Sequence, residues 1–240
     1  EVHGAYSAVT IIANHGLLAF CDPHGIRPLV MGRQVTDVGV SWAFASETTC
    51  FDHLDFEAVR DLEPGEAVFI DQDQRVHRRI CRRRQQAYCV FEYIYFARED
   101  AVMNGRLVAS ERVRLGKRLG ATFRAAGLHP DIVIDVPTSA YFFASALAEE
   151  LGVPYRRGLA KNRHVGRSFI TPGQQRREAM VHKKLNPIRD IIRGRKVAVV
   201  DDSIVRGTTA RLLVELLRKA GATEVYVVSA APPIKHPCSA

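Results

Sequence analysis

The chain reads as an α/β protein: a parallel sheet with helices on both faces, preceded by a β-rich region. Three observations carry this. From residue 89 onward, apolar runs alternate with amphipathic stretches at helical spacing, the pattern of parallel strands joined by crossover helices. One of those runs, Val197-Ala198-Val199-Val200, is continuously apolar, as a strand buried on both faces should be, and it ends in Asp201-Asp202. Residues 1 to about 80, by contrast, break into short strand-like runs separated by turn residues.

Taken in order, residues 7–13 and 16–20 are strands joined by Asn14-His15-Gly16, strong hairpin chemistry. The turn Asp22-Pro23-His24-Gly25 follows. Strands are expected at 28–32, 42–46 and 67–70, with a short helix near 50–54 and a turn at Pro64-Gly65-Glu66. A basic, polar stretch from about 75 to 86 marks the expected domain boundary, and the arginines of residues 78–84 read as a solvated linker face. The aromatic run at 88–98 is expected to be largely a core strand. Val113, Leu115, Leu119 and Phe123 give residues 110–127 an apolar helical stripe. A buried strand at 131–137, a short strand at 154–159 and a further strand at 225–229 complete the second part, with helices running from Thr138-Ser139-Ala140 to Leu151 and through Leu212, Leu213, Leu216 and Leu217.

The strand ends supply the chemistry. Open α/β sheets place ligands outside the carboxyl ends of their strands, where Asp201 and Asp202 fall. Two adjacent carboxylates suit ribose hydroxyls or a hard cation such as Mg²⁺. Ser203, Gly207, Thr208 and Thr209 then open a helix, and exposed N–H groups with hydroxyls at such a terminus form a phosphate cradle. The same residues also suit a solvated turn and a helix cap. Thr138-Ser139 is a second hydroxylated strand-to-helix turn, open to the same two readings. Lys161, Arg163, His164 and Arg167 surround Gly166 in a basic loop. It has the charge and mobility of a lid over an anion, and also the composition of an ordinary solvated loop. A Gly-x-x-x-x-Gly-Lys phosphate loop is absent, which excludes a P-loop nucleotide hydrolase.

Composition narrows the class. At 240 residues, the chain can form one large or two small domains. No apolar run approaches the roughly 20 residues that span a bilayer, so no membrane role is expected. The net charge of +8 permits nucleic-acid binding, but the basic residues form no aromatic-laced patch, so none is expected. Five widely spaced cysteines, an odd number, argue for a reducing, cytoplasmic setting over a disulfide framework. The first residues lack the basic stretch of a signal peptide, and the chain reads as a piece of a longer protein.

Residues 197–209 closely resemble the phosphoribosyl pyrophosphate (PRPP) motif of type I phosphoribosyltransferases, and the string Val-Asp-Asp-Ser-Ile-Val-Arg-Gly-Thr-Thr resembles the amidophosphoribosyltransferases among them. Residues 89–98 and 161–170 match the same family in the same order. The resemblance implies a type I phosphoribosyltransferase domain at 89–240, a linker at 81–88 and, at 1–80, the second part of a glutaminase domain. That domain is an N-terminal-nucleophile hydrolase with an α/β/β/α sandwich, and its nucleophilic Cys lies upstream of this chain. The implied reaction converts PRPP, glutamine and water to 5-phosphoribosylamine, glutamate and pyrophosphate, the first committed step of purine synthesis. PRPP would be held by Asp201, Asp202, Ser203, Arg206, Gly207, Thr208, Thr209 and Ser139, and Mg²⁺ by Ser139, Asp201 and Asp202. Lys161, Arg163 and Arg167 would serve catalysis. Thr138 departs from the Asp or Glu that relatives often carry there. Cys89 and Cys238 match two ligands of the 4Fe–4S cluster that some members carry, with the other two beyond residue 240. The resemblance also implies a homo-oligomer, dimer or tetramer. Two alternatives belong to other classes. A non-catalytic PRPP-sensing regulator can lose the lid and needs a nucleic-acid module; this chain keeps the lid segment and shows no helix-turn-helix pattern before residue 89. A nucleobase salvage transferase would not carry the glutaminase-like front half.

Overall fold

The structure is a computed structural model that describes residues 2–162 and 185–235. It divides into two compact units, one built on residues up to Ser110 and a second on Glu111–Pro233.

The first unit holds two antiparallel sheets. Strands β1 (Ser7–Ile12), β2 (Gly16–Cys21), β6 (Glu66–Asp71) and β7 (Val76–Ile80) pair in the order β1-β2-β6-β7. The hairpin of β1 and β2 forms where Asn14 and Gly16 supply positive φ. The second sheet has the order β4-β3-β5, from β3 (Val30–Thr36), β4 (Gly39–Ala45) and β5 (Glu57–Asp61). Ala19, Met31, Val68 and Ile70 share one core with Trp42 and Phe44, so inward residues of both sheets meet as in a sandwich. Gly32 is required there: a Cβ would lie 2.8 Å from the ring of Phe51, a buried residue of helix α1 (Thr49–Asp52).

Two elements of this unit differ from the sequence expectation. The arginines after residue 75 are not simply a solvated linker, because Val76–Ile80 is the edge strand β7. Its Arg78 Nε donates to Glu66 Oε1 at 2.7 Å, and Arg60 donates to both oxygens of that fully buried carboxylate. Burial pushes the Glu66 pKa up, but the hydrogen bonds from Arg60, the Glu63 N–H and Arg78 bring it below the ordinary value. Long arginine stems hide the strand's alternation.

The aromatic run is not a strand either. Glu92–Phe96 forms one π-helical turn, closed by the Ala97 N–H to the Glu92 carbonyl at 2.9 Å. Tertiary contacts override its β-propensity: Glu92 is buried and ion-paired with Arg27, and the Tyr93 hydroxyl donates to the Met103 carbonyl. The compact division therefore falls later than the 81–88 linker, and residues 89–110 lie with the first unit. The intervening segment is tied down by Arg84 N–H to the Pro23 carbonyl and Ala87 N–H to the His24 carbonyl. A two-stranded ribbon, β8 (Val102–Met103) and β9 (Arg106–Leu107), precedes the long helix α2 (Val108–Ala125), which starts two residues before the expected position.

The second unit is built on a parallel sheet of order β10-β13-β14, from β10 (Ile132–Asp135), β13 (Lys196–Asp201) and β14 (Glu224–Ser229). Tyr155 extends it by a parallel bridge to Val133. A short antiparallel pair, β11 (Leu159–Lys161) and β12 (Leu185–Pro187), and a single turn α4 (Arg189–Ile192) accompany it. Ile132, Ile134, Val197 and Val199 face Leu213 and Leu217 of helix α5 (Thr208–Lys219). On the opposite face Tyr226 meets Phe123 of α2 edge-on, and α2 packs closely on α3 (Tyr141–Leu151) at Gly116, where a Cβ would stand 2.6 Å from the Phe143 carbonyl. Helices thus cover both faces, as the strand–helix alternation predicts. Among the described residues, no helix is long and apolar enough to cross a membrane.

Candidate phosphoribosyl site

The sheet ends its central strand β13 on Asp201 because Val197 to Val200 are fully buried and the chain must leave the core there. The exit is braced by the neighbouring tail: Ala230 N–H donates to the Asp201 carbonyl at 2.9 Å and Ala231 N–H to the Asp202 carbonyl at 2.8 Å. The next strand over, β10, ends on Asp135, and Val136 N–H donates to the Val200 carbonyl at 2.8 Å. That bond sets the start of the second turn, which carries Ser139 into α3.

The two turns meet at Asp202. The residue is 8% exposed, and its side chain accepts from Ser139 Oγ at 2.5 Å and from Ser203 Oγ at 2.9 Å. Asp201 is less well provided: one oxygen accepts the Asp202 N–H at 2.9 Å. Burial, and then the neighbouring Asp202 charge, push the Asp201 pKa from its ordinary value to about 7. A carboxylate held back from ionising by burial and a like charge is relieved by a cation. The donor set is all oxygen: two carboxylates and a hydroxyl. Mg²⁺ is bound by one or two carboxylates, with waters and substrate phosphates filling its other positions, so these residues fit it. Among the described residues, no group of three or more His, Cys, Asp and Glu side chains is gathered as a metal cage.

Beyond Ser203 the chain turns outward, with Ile204, Val205, Arg206 and Gly207 exposed. Gly207 caps α5 with φ 70°, a left-handed conformation that favours glycine. It offers no side-chain cap, so Thr208 and Thr209, as the first helical residues, are not the helix's N-cap. They stand at its positive end, beside the exposed turn, where a phosphate is favoured.

The structure thus brings Asp201, Asp202, Ser203 and Ser139 together and puts Arg206, Gly207, Thr208 and Thr209 in the turn and helix start that follow. Lys161 is exposed at the end of β11. Arg163, Arg167 and Cys238 lie outside the described residues. Cys89 is half-buried in the first unit.

Two side chains here escaped sequence reasoning. Asp135, 6% exposed, accepts the Tyr155 hydroxyl at 2.9 Å. Burial and this carboxylate raise the tyrosine pKa, with Arg157 working in the opposite direction. Twenty residues separate the pair, and no spacing rule links them.

Comparison with known proteins agrees with this geometry. The phosphoribosyl transferase domain family matches residues 112–238. A curated relative from Pseudomonas aeruginosa, named amidophosphoribosyltransferase, is 44% identical over 98% of this chain and 47% of its own length. One of the same name from Mycobacterium tuberculosis is 46% identical over 99% of this chain and 43% of its own. Among solved structures, the glutamine PRPP amidotransferase from B. subtilis complexed with ADP and GMP superposes with a TM-score of 0.85. It is 41% identical over 98% of this chain and 50% of that one. The chain spans about half the length of the curated relatives it matches. With strand, acidic turn and helix in the matched segment, this chain belongs to the phosphoribosyl transferase domain family.

Proposed function

We propose that this chain forms part of a glutamine-dependent amidophosphoribosyltransferase, with residues 89–240 as its phosphoribosyl-transferring portion and residues 1–80 as part of its glutaminase. The observation that carries the reading is the meeting of two turns at Asp202, where Ser139 and Ser203 converge beside an under-donated Asp201. PRPP presents a 5-phosphate, a ribose diol and an anomeric pyrophosphate. Thr208 and Thr209 with the turn from Ser203 through Arg206 and Gly207 would hold the 5-phosphate. Asp201 and Asp202 would accept the ribose hydroxyls, and Ser139 would orient the pyrophosphate end.

Asp201, Asp202 and Ser139 would hold Mg²⁺, which when bound neutralises the pyrophosphate as it leaves. The leaving group departs from an oxocarbenium-like ribose, so the protein must stabilise negative charge on one side and exclude water on the other. Lys161, Arg163 and Arg167 supply cationic donors for the first task. Ammonia from glutamine, released by a nucleophilic Cys upstream of this chain, would attack the anomeric carbon. Cys89 is the one described residue at a cluster position, and a single thiolate makes no cluster site, so no step is routed through a 4Fe–4S group. A cytoplasmic homo-oligomer is the setting this reading carries.

Calorimetry with PRPP tests it. The expected result is binding that requires Mg²⁺; a folded chain that fails to bind PRPP in its presence removes the reading.

A further inference from the structure

The turn that presents Ser139 to Asp202 runs from Val136 to Ala140, between the last residue of β10 and the first of α3. Its reach depends on where its two ends are held. One side chain touches both. The Tyr155 hydroxyl donates to Asp135, the residue before the turn, and the Tyr155 ring stands edge-on to Tyr141, the residue after it, with centroids 5.5 Å apart at 79°. We propose that Tyr155 is a positioning residue that clamps the Ser139 turn in register with the acidic pair. In its ligand consequence this rests on the phosphoribosyl reading above.

Three features make the clamp stiff. The Tyr155 backbone is itself fixed to β10: Val133 N–H donates to the Pro154 carbonyl at 3.0 Å and Arg156 N–H to the Val133 carbonyl at 2.9 Å. Tyrosine has few rotatable bonds, so little freedom is lost in holding one arrangement. The Asp135 carboxylate it meets is buried, and a buried acceptor without its donor is costly to keep. The hydroxyl therefore fixes the strand end while the ring fixes the helix start by an aromatic contact. Ser139 lies between these two anchors and makes its hydrogen bond to Asp202, 63 residues away. The Tyr155 hydroxyl is given to Asp135, while Asp202 takes the Ser139 hydroxyl, so Tyr155 acts through the turn.

Tyr155→Phe keeps the ring and removes the hydroxyl. Hydrogen exchange should show faster exchange of the 136–140 amides, with the amides of β13 unchanged. Calorimetry should show Mg²⁺-dependent PRPP affinity weakened about tenfold, the scale of one hydrogen bond to a charged group. In an Asp135→Asn background the same substitution should have a much smaller effect, because the buried charge that needs the hydroxyl is gone. A role limited to general stability would shift exchange throughout the second unit and leave no coupling to Asp135. Should Tyr155→Phe fold poorly, Tyr141→Ala removes the other anchor and should speed exchange in the same four amides, those of Val136, Thr138, Ser139 and Ala140. Unchanged 136–140 exchange with wild-type PRPP affinity overturns the clamp and leaves the phosphoribosyl reading standing. Faster exchange in a chain whose wild type binds no PRPP supports the clamp and overturns that reading.

Discussion

The aspartates at the ends of β2 and β13, Asp22 and Asp201, are built to opposite ends. In the first unit Asp22 is fully buried and its carboxylate accepts three backbone N–H groups, from His24, Ile26 and Arg27, at 2.9 to 3.2 Å. In the second unit Asp201 has one such donor and stands beside another carboxylate. Asp22 is satisfied by its own loop and closed off from solvent. Among the described residues Asp201 has that single donor, and burial with the neighbouring Asp202 charge raises its pKa. A strand-end aspartate supplied with backbone donors is part of the fold, and one left short of them is available for chemistry.

The sharpest way to break the comparison is to remove both carboxylates of the second turn. Asp201→Asn with Asp202→Asn should reduce Mg²⁺-dependent PRPP affinity at least about a thousandfold by calorimetry, with the circular dichroism spectrum unchanged. Near-normal binding would place the site elsewhere. Asp22→Ala should do the reverse. It strands three part-buried N–H groups and leaves a cavity at a fully buried position, and should destabilise the first unit by about 3 kcal/mol in denaturant melts, with PRPP affinity kept wherever the chain stays folded.

A smaller effect comes with pH. The folded Asp201 pKa of about 7 lies above its ordinary 3.8, so the fold holds that proton more tightly than the unfolded chain does. The stabilisation is full below about pH 4 and is lost as pH rises through about 7. Ligand-free melts should therefore fall in stability across that window, and Asp201→Asn should flatten this component. Glu66 gives the opposite slope. Its lowered pKa means a contribution present above the ordinary glutamate value and lost as pH falls through the folded one.

The smallest expected change is at Gly207. Its φ of 70° with no atom within 4 Å of an added Cβ means that Gly207→Ala meets only backbone strain. About 1 kcal/mol of stability should be lost in thermal melts.

The sheet of the second unit was legible because its strands are apolar runs rich in valine and isoleucine, and the acidic turn because it ends the clearest of them. What stayed hidden involved partners distant in sequence. Val76–Ile80 reads as linker until Glu66 is seen to gather Arg60 and Arg78. The Glu-Tyr-Ile-Tyr-Phe run has strand composition, yet the buried Glu92 and its partner Arg27, 65 positions earlier, favour a helical turn. Asp135 and Tyr155 looked like ordinary strand residues until the parallel bridge at Val133 placed them together.

The hydrogen bond from Ser139 to Asp202 also bears on folding kinetics. Its partners lie on different strand ends, so it can form only after β10 and β13 have paired in register across more than sixty residues. Such a contact repays its loop-closure entropy only once that pairing exists, so it is expected to form late in folding. A ligand gripping both turns would add its energy after the main barrier has been crossed. It should slow unfolding strongly and leave the folding rate almost unchanged, so that occupancy of the site is recorded as the lifetime of the native state.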